Sequence, residues 1–293
     1  MDKLRNILEV HPISPEKQYQ NRIWQRLSDD EINRISNRVP IFRGVDTNYK
    51  PAGVIKRYEY TKLLEKVKSK RLIDLGSAHR TMRDVGDQID LERLGIKEYI
   101  AVDYDLNEEY ISERSPSDKN YEDHINCIRE WQDPSYKLNI PNPTDRIKSK
   151  GMRMEILKAL HSFPENYGSA VITSLDPSTF YYEDDWMYAV VAELKRVVPK
   201  DEFIVTDGMG FIFSVLEDCV PAFKDAKDMN KLSKYACKPD DPYNGGKKNI
   251  DKHDRTNLGN YVIDAPEIGF RIYFDNLSYE DTIVIINTSK TPA

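Results

Sequence analysis

The sequence has little of what stapled, metal-bound or membrane-embedded proteins depend on. Only three cysteines occur among 293 residues, and no two of them have a CxxC spacing. That number and spacing argue against a disulfide framework and a zinc site, and they are typical of a reducing, cytoplasmic compartment. No apolar run approaches the roughly 20 residues of a membrane span, and the first residues lack the apolar stretch of a signal peptide. We therefore expect a soluble, cytoplasmic protein that binds no metal.

An excess of positive charge is also missing. The chain has 43 Lys and Arg against 49 Asp and Glu, a net charge of −6. No global field therefore attracts nucleic acid, and any RNA contact would depend on a local patch. What the chain does have is aromatic surface, because 18 Tyr against 9 Phe indicate many amphipathic rings at surfaces or in a polar cleft.

Two short apolar segments that end in acids organise the chain. Residues 71–74 are typical of a strand that ends at Asp74 and is followed by the turn Gly76-Ser77-Ala78. Residues 99–103 are typical of a second strand, which ends at Asp103. Acids at the carboxyl ends of neighbouring parallel strands are how an open α/β sheet binds an adenosine cofactor. A carboxylate is a natural acceptor for two vicinal hydroxyls, although Asp is also a common helix cap at such positions.

Helices and strands alternate along most of the chain. Alternation predicts an α/β fold with a mostly parallel sheet and helices on both faces, and two strands in succession at the end predict a C-terminal antiparallel hairpin. The predicted helices are 54–68, 79–94, 152–163, 185–198 and 209–223. The predicted strands are 71–74, 99–103, 124–128, 169–176, 202–208, 269–274 and 282–287.

The flanking segments are polar. Residues 1–54 are predicted to be an extension that wraps the main domain, 55–293, with a partly disordered tail as the alternative. Within it, Ser28 followed by Glu31 has the spacing of a capping box and predicts a helix start. The polar run 224–260 is longer than an ordinary connection and is predicted to be either a functional lid or disorder.

The order of elements resembles the seven-stranded, Rossmann-like fold of S-adenosylmethionine-dependent methyltransferases, over about residues 55–287. The resemblance implies that Asp74 and the turn Gly76-Ser77-Ala78 approach the methionine part of the cofactor S-adenosyl-L-methionine. It also implies that Asp103 binds the ribose hydroxyls, with Asp105 as an alternative. Gly76 stands alone where such turns usually have two or three glycines. Adenine is expected near the third strand, where a buried structural cysteine is the alternative interpretation. The further cofactor-binding candidates are Tyr104, Cys127, Ile128 and Ser174.

Within that family, Gly-Ser-Ala followed by the basic pair His79-Arg80 is similar to viral RNA-capping methyltransferases of the alphavirus-like type. The similarity implies an RNA cap or a guanine nucleotide as acceptor, and a nucleotide or RNA partner. The sequence departs from that type because its only upstream histidine is His11, far from Asp74. A small-molecule or nucleobase methyltransferase, or a catalytically inactive binding subunit, are the alternatives.

The predicted substrate-binding residues follow two of the strands. Arg80 could meet a phosphate, or it could lie on a solvated helix face. After the fourth strand, Asp176 could face a base and the rings of Tyr181 and Tyr182 could stack on it. The alternative is ordinary packing of these side chains. No catalytic residue is assigned. Methyl transfer chiefly requires that the methyl donor and the acceptor are held in line and that water is excluded. The substrate-binding candidates are Arg80, Asp176, Tyr181 and Tyr182.

Overall fold

The computed structural model describes residues 22–37, 69–76, 95–103, 148–172, 184–207, 211–243, 258–275, 277 and 282–289. Five α-helices and eight β-strands lie in these ranges. The helices are α1 (Asp29–Ser36), α2 (Ile156–Ser162), α3 (Asp184–Val197), α4 (Phe211–Cys219) and α5 (Pro221–Ala226), and a 3₁₀ helix spans Leu232–Tyr235. The strands are β1 (Arg71–Leu75), β2 (Glu98–Asp103), β3 (Lys148–Arg153), β4 (Ser169–Ile172), β5 (Phe203–Asp207), β6 (Tyr261–Ala265), β7 (Phe270–Phe274) and β8 (Thr282–Asn287).

The eight strands form one sheet in the order β3-β2-β1-β4-β5-β8-β7-β6. The first five strands in that order pair in parallel, and β8 then pairs antiparallel with both β5 and β7. The predicted α/β sheet, parallel at its start and antiparallel at its C-terminal end, is confirmed. The predicted hairpin is β7 and β8, and β6 extends it by one antiparallel strand. That extra strand was missed because it directly follows a long polar run.

One strand of the sheet was not predicted. The strand predicted at 124–128 lies outside the described residues and stays a prediction. The strand next to β2 is β3, in a segment whose lysines and prolines suggest a surface excursion. β3 pairs with β2 along its whole length, from Lys148 opposite Glu98 to Arg153 opposite Asp103. With β2 on one side only among the described strands, β3 is an edge strand, which can remain polar because it need not be buried on both faces. Its sequence therefore lacks the apolar run by which inner strands are found.

Two predicted helices have different bounds in the structure. The helix predicted at 152–163 begins only at Ile156, because the Glu155 carboxylate accepts hydrogen bonds from the backbone N–H groups of Leu157 (3.0 Å) and Lys158 (3.1 Å) and so caps it. The helix predicted at 209–223 divides into α4 and α5 at Pro221. Proline has no backbone N–H and opens a new helix readily at its first turn. The helices predicted at 54–68 and 79–94 lie outside the described residues.

One face of the sheet carries the main apolar core. Alternate residues such as Ile73, Ile100 and Ile204 are fully buried and belong to one cluster with apolar residues of α1 to α5. Residues of the opposite face, such as Leu72 and Tyr99, are also buried but lie outside that cluster. Burial on both faces holds the strands in place, and the candidate site lies at the ends of these strands.

The N-terminal segment 22–37 packs against the domain. Its capping box is present as predicted, with Ser28 and Glu31 exchanging hydrogen bonds at the start of α1. Four of its apolar side chains are only 2–3% exposed, and burial of each such side chain contributes about 1.5–3 kcal/mol. Asp185, at the start of α3, forms ion pairs with Arg22 and Arg34 of the segment. The four buried side chains are Ile23, Leu27, Ile32 and Ile35.

Candidate cofactor site at the carboxyl edge of the sheet

The strand order reverses direction at β1. The chain proceeds from β1 outward to β2 and β3, and then returns to place β4 on the other side of β1. In open α/β sheets, ligands bind in the crevice outside the carboxyl ends of the strands where the order reverses. The carboxyl ends of β1 and β4 therefore define where a ligand site is expected in this molecule.

The turn that follows β1 has an unusual backbone conformation. Gly76 has a φ of 71°, in the left-handed region where a residue with a Cβ is strained by about 1–2 kcal/mol. Its backbone N–H donates to the carbonyl oxygen of Val102 at 2.9 Å, which fixes the start of the turn to β2. The single glycine of the turn therefore stands where the chain leaves the sheet, and its backbone is not covered by a side chain of its own.

Asp74 lies inside β1 rather than at its end, since β1 continues to Leu75. Its side chain is 1% exposed, and its carboxylate accepts a hydrogen bond from the hydroxyl of Tyr99 on β2. Leu72, not Asp74, is directly opposite Tyr99, so this contact runs diagonally between the strands. One acceptor position of Asp74 is thus used within the sheet. Sequence reasoning missed this contact because nothing local marks a diagonal neighbour.

Asp103 is the last residue of β2. Leu75 of β1 lies opposite Val102, so Asp103 is level with Gly76 on the neighbouring strand. Adjacent strands are about 4.8 Å apart. The backbone therefore brings the predicted ribose acid and the predicted glycine turn to neighbouring positions at the same edge.

Most of the other predicted site residues are outside the described ranges. Ser174 would follow β4, which ends at Ile172, but nothing is described there. The roles assigned to all of these residues stay predictions. They are Ser77, Ala78, Tyr104, Cys127, Ile128 and Ser174 for the cofactor, and Arg80, Asp176, Tyr181 and Tyr182 for the substrate.

A buried carboxylate near the same edge was not predicted. Glu155 is 7% exposed, and besides capping α2 it accepts a hydrogen bond of 2.7 Å from the indole N–H of Trp186. Trp186 lies in the first turn of α3, so this bond connects the chain that leaves β3 with the helix that follows β4. A glutamate directly before the apolar pair Ile156-Leu157 is the signal that could have revealed it.

One of the two described cysteines is a poor nucleophile. Burial raises the pKa of Cys219 to about 11, so its thiol stays protonated at neutral pH, where only a thiolate is reactive. Cys237 donates its thiol to the carbonyl oxygen of Gly259 at 3.4 Å. Within the parts of the chain that the structure describes, no cluster of three His, Cys, Asp or Glu side chains could hold a metal ion. Among those same residues no helix is long and apolar enough to cross a membrane.

Comparison with known proteins gives matches among solved structures alone. No family model and no curated protein matches the sequence. Among solved structures, the chain is similar to the N-methyltransferase NodS from Bradyrhizobium japonicum WM9, with 9% identity and a TM-score of 0.32 over 84% of this chain and 100% of that one. It is also similar to MnmC2 from Aquifex aeolicus, with 13% identity and a TM-score of 0.38 over 94% of this chain and 83% of that one. At TM-scores below 0.5, neither likeness bears on what this chain does.

Proposed function

We propose that this chain is a methyltransferase that uses S-adenosyl-L-methionine. The observation that carries the proposal is the alignment of Asp103 with the left-handed Gly76, next to the point where the strand order reverses. A bare backbone turn beside a carboxylate is suited to an adenosine cofactor, because the turn allows close approach and the carboxylate can accept from two ribose hydroxyls. The antiparallel end of the sheet agrees with the fold that the sequence resembles.

Two positions at this edge support the proposal. Asp103 would hold the ribose hydroxyls, and the turn at Gly76 would lie beneath the methionine end. The cofactor supplies an electrophilic methyl group. The protein's part is to hold the acceptor in line with that methyl group and to exclude water, which requires position more than acid–base chemistry. Asp74, with its hydrogen bond to Tyr99, would keep β1 and β2 fixed beneath the site.

The first test is calorimetric titration with S-adenosyl-L-methionine and with its demethylated product. We expect both to bind, and Asp103→Ala to weaken binding by about 1–3 kcal/mol through the loss of charge-assisted hydrogen bonds. Asp264→Ala is the matched control, since its carboxylate is 68% exposed on the distant strand β6 and should not affect affinity. No binding at millimolar ligand would contradict the proposal and favour an inactive binding subunit. Equal affinities of wild type and Asp103→Ala would refute the ribose role.

For the acceptor, we propose an RNA cap or a guanine nucleotide. The support is the basic pair His79-Arg80 directly after the turn, which a phosphate could meet. The test offers GTP, capped RNA, free bases and small amines to the protein with methyl-labelled cofactor. Label in GTP or in RNA is the expected result, and label only in a non-nucleotide acceptor would replace this proposal with the small-molecule alternative.

A further inference from the structure

Three lysines form a row at the amino edge of the sheet, opposite the candidate cofactor site. Lys70 precedes β1, Lys97 precedes β2 and Lys148 begins β3. Backbone hydrogen bonds connect them in that order, because the N–H of Lys97 donates to the carbonyl oxygen of Lys70 and the N–H of Lys148 to that of Lys97, each at 2.8 Å. All three residues are exposed. We call Lys70, Lys97 and Lys148 the lysine row.

The charges of the lysine row are not neutralised by the described residues. One residue further along the strands, Arg71 and Glu98 lie opposite each other, and the Arg71 Nε contacts the Glu98 carboxylate at 2.6 Å. Glu98 is therefore already paired with an arginine. Like charges on neighbouring strands are unfavourable, whereas opposite charges are favourable. Arg71 and Glu98 thus form an ion pair at the start of β1 and β2, whereas Lys70 and Lys97, one residue earlier, have the same charge.

Protection of a sheet edge does not explain the row. Lysines on an edge strand prevent sheets from pairing with each other, and that account suffices for Lys148 on β3. It does not apply to Lys70, since β1 is an inner strand between β2 and β4. A row that runs across three strands, on a chain with a net charge of −6, instead indicates an anionic partner.

Basic residues continue from the lysine row along β3. Lys150 lies opposite Ile100, and Arg153 lies opposite Asp103 at the carboxyl edge. β3 contains no acidic residue. Its length of six residues corresponds to roughly 20 Å at 3.3 Å per residue. By the alternation of a strand, positions 148 and 150 belong to one face of the sheet and position 153 to the other, and β3 itself runs from the lysine row to the edge at which the cofactor site is proposed.

We propose that the lysine row and β3 bind the phosphate backbone of single-stranded RNA and lead it toward the cofactor site. The inference rests on the proposed function, because RNA is the acceptor proposed there. A linear polymer of phosphates matches a narrow line of positive positions that crosses three strands and continues to position 150 on β3. A flat anionic membrane would need a broad basic surface instead. Phosphate contacts of this kind position a strand without reading its sequence.

The experiment compares two triple variants with the wild type by fluorescence anisotropy. The probe is a labelled 12-nucleotide single-stranded RNA, titrated between 50 and 200 mM salt. The first variant is Lys70→Gln, Lys97→Gln and Lys148→Gln, and the control is Lys224→Gln, Lys234→Gln and Lys238→Gln, which changes the net charge equally at exposed positions. Each phosphate contact on a single strand contributes about 0.7 to the slope of log affinity against log salt.

We expect the lysine-row variant to bind RNA at least tenfold more weakly at 50 mM salt and to lose about 2 from the slope, for three contacts at about 0.7 each. The control should keep the wild-type slope. Equal losses of RNA affinity in both variants, or no loss in the lysine-row variant, would overturn the proposal. It would also be overturned if the lysine-row variant lost binding to phosphatidylserine vesicles but kept RNA binding. Calorimetry with S-adenosyl-L-methionine on the same variant should be unchanged. It thereby separates a failure of the lysine row from a failure of the cofactor site.

Discussion

The two ends of strands β1 and β2 carry opposite kinds of residues. At the carboxyl ends are Asp103 and the left-handed Gly76, level with each other on neighbouring strands. At the amino ends are Lys70 and Lys97, exposed and joined through the backbone. The fold explains the first set, since ligand sites of open α/β sheets form at carboxyl ends. It does not require the second set, so the charge at the amino ends is more informative about a partner than about the fold.

The largest effect is expected from a substitution between the two ends. Ile100 lies in the middle of β2 and is fully buried, so Ile100→Ala removes core contacts and should cost about 2–5 kcal/mol of unfolding free energy. Denaturant unfolding followed by circular dichroism measures this cost. Because the residue supports both ends, we expect cofactor binding and RNA binding to fail together as the protein unfolds. Loss of only one of them would show that the two ends are more independent than a shared strand implies.

A second comparison uses two glycines with the same backbone conformation at opposite ends. Gly76 has a φ of 71° at the carboxyl end of β1, and Gly95 has a φ of 76° before the amino end of β2. A Cβ at Gly95 would meet no atom within 4 Å, so Gly95→Ala should lose about 1–2 kcal/mol from backbone strain alone. Gly76→Ala should lose at least as much, because its φ is also left-handed.

Only Gly76→Ala should also weaken S-adenosyl-L-methionine binding, because only that turn lies at the proposed site. Unfolding free energies and calorimetry on the two variants separate strain from binding. If Gly95→Ala weakened cofactor binding as much, the loss of affinity would be due to general destabilisation. It could then not be assigned to the turn at Gly76.

A further comparison sets a buried lysine against the exposed lysine row. The Lys195 ammonium has no hydrogen-bond partner among the described residues and lies 3.0 Å from the centroid of the Trp24 ring. Burial lowers the pKa of Lys195 to about 7 from its ordinary value of 10.5. Between these two pH values the unfolded chain holds a proton that the folded chain has released, so this group makes stability rise with pH.

Lys195→Met should remove that dependence. The variant should gain stability relative to the wild type near pH 6, where the wild type buries a cation, and the difference should shrink toward pH 9. Denaturant unfolding at several pH values measures it, with Lys97→Met as a control that removes an exposed lysine. Parallel stability curves for the wild type and Lys195→Met would contradict the expectation.

The sequence predicted the inner strands well because they obey local rules. β1 and β2 are apolar segments followed by turn residues, and the helix at Asp29–Ser36 has a capping box. The outer strands were not predictable in the same way. β3 is polar because an edge strand need not be buried on both faces, and β6 follows a long polar run and pairs regularly with β7 alone. Edge strands are specified by their neighbours more than by their own composition.

The candidate site was predictable only in part. The positions of Gly76 and Asp103 follow from the strand pattern, because parallel strands align their carboxyl ends. The hydrogen bond between Tyr99 and Asp74 depends on the register of two strands, and the bond between Trp186 and Glu155 joins residues 31 positions apart. Such contacts are set by tertiary packing, which no local pattern encodes. The lysine row likewise becomes visible only when three separate segments lie side by side.

The insertion of β8 between β5 and β7 has a consequence for biosynthesis. Among the described strands, β8 is the last in the chain, yet it alone connects the parallel part of the sheet to β6 and β7. A nascent chain at the ribosome therefore has two separate sheet fragments with unpaired edges until Asn287 has been made. Unpaired edges are templates for aggregation. A premature stop before Thr282 would thus remove β8 and leave the described sheet in two pieces.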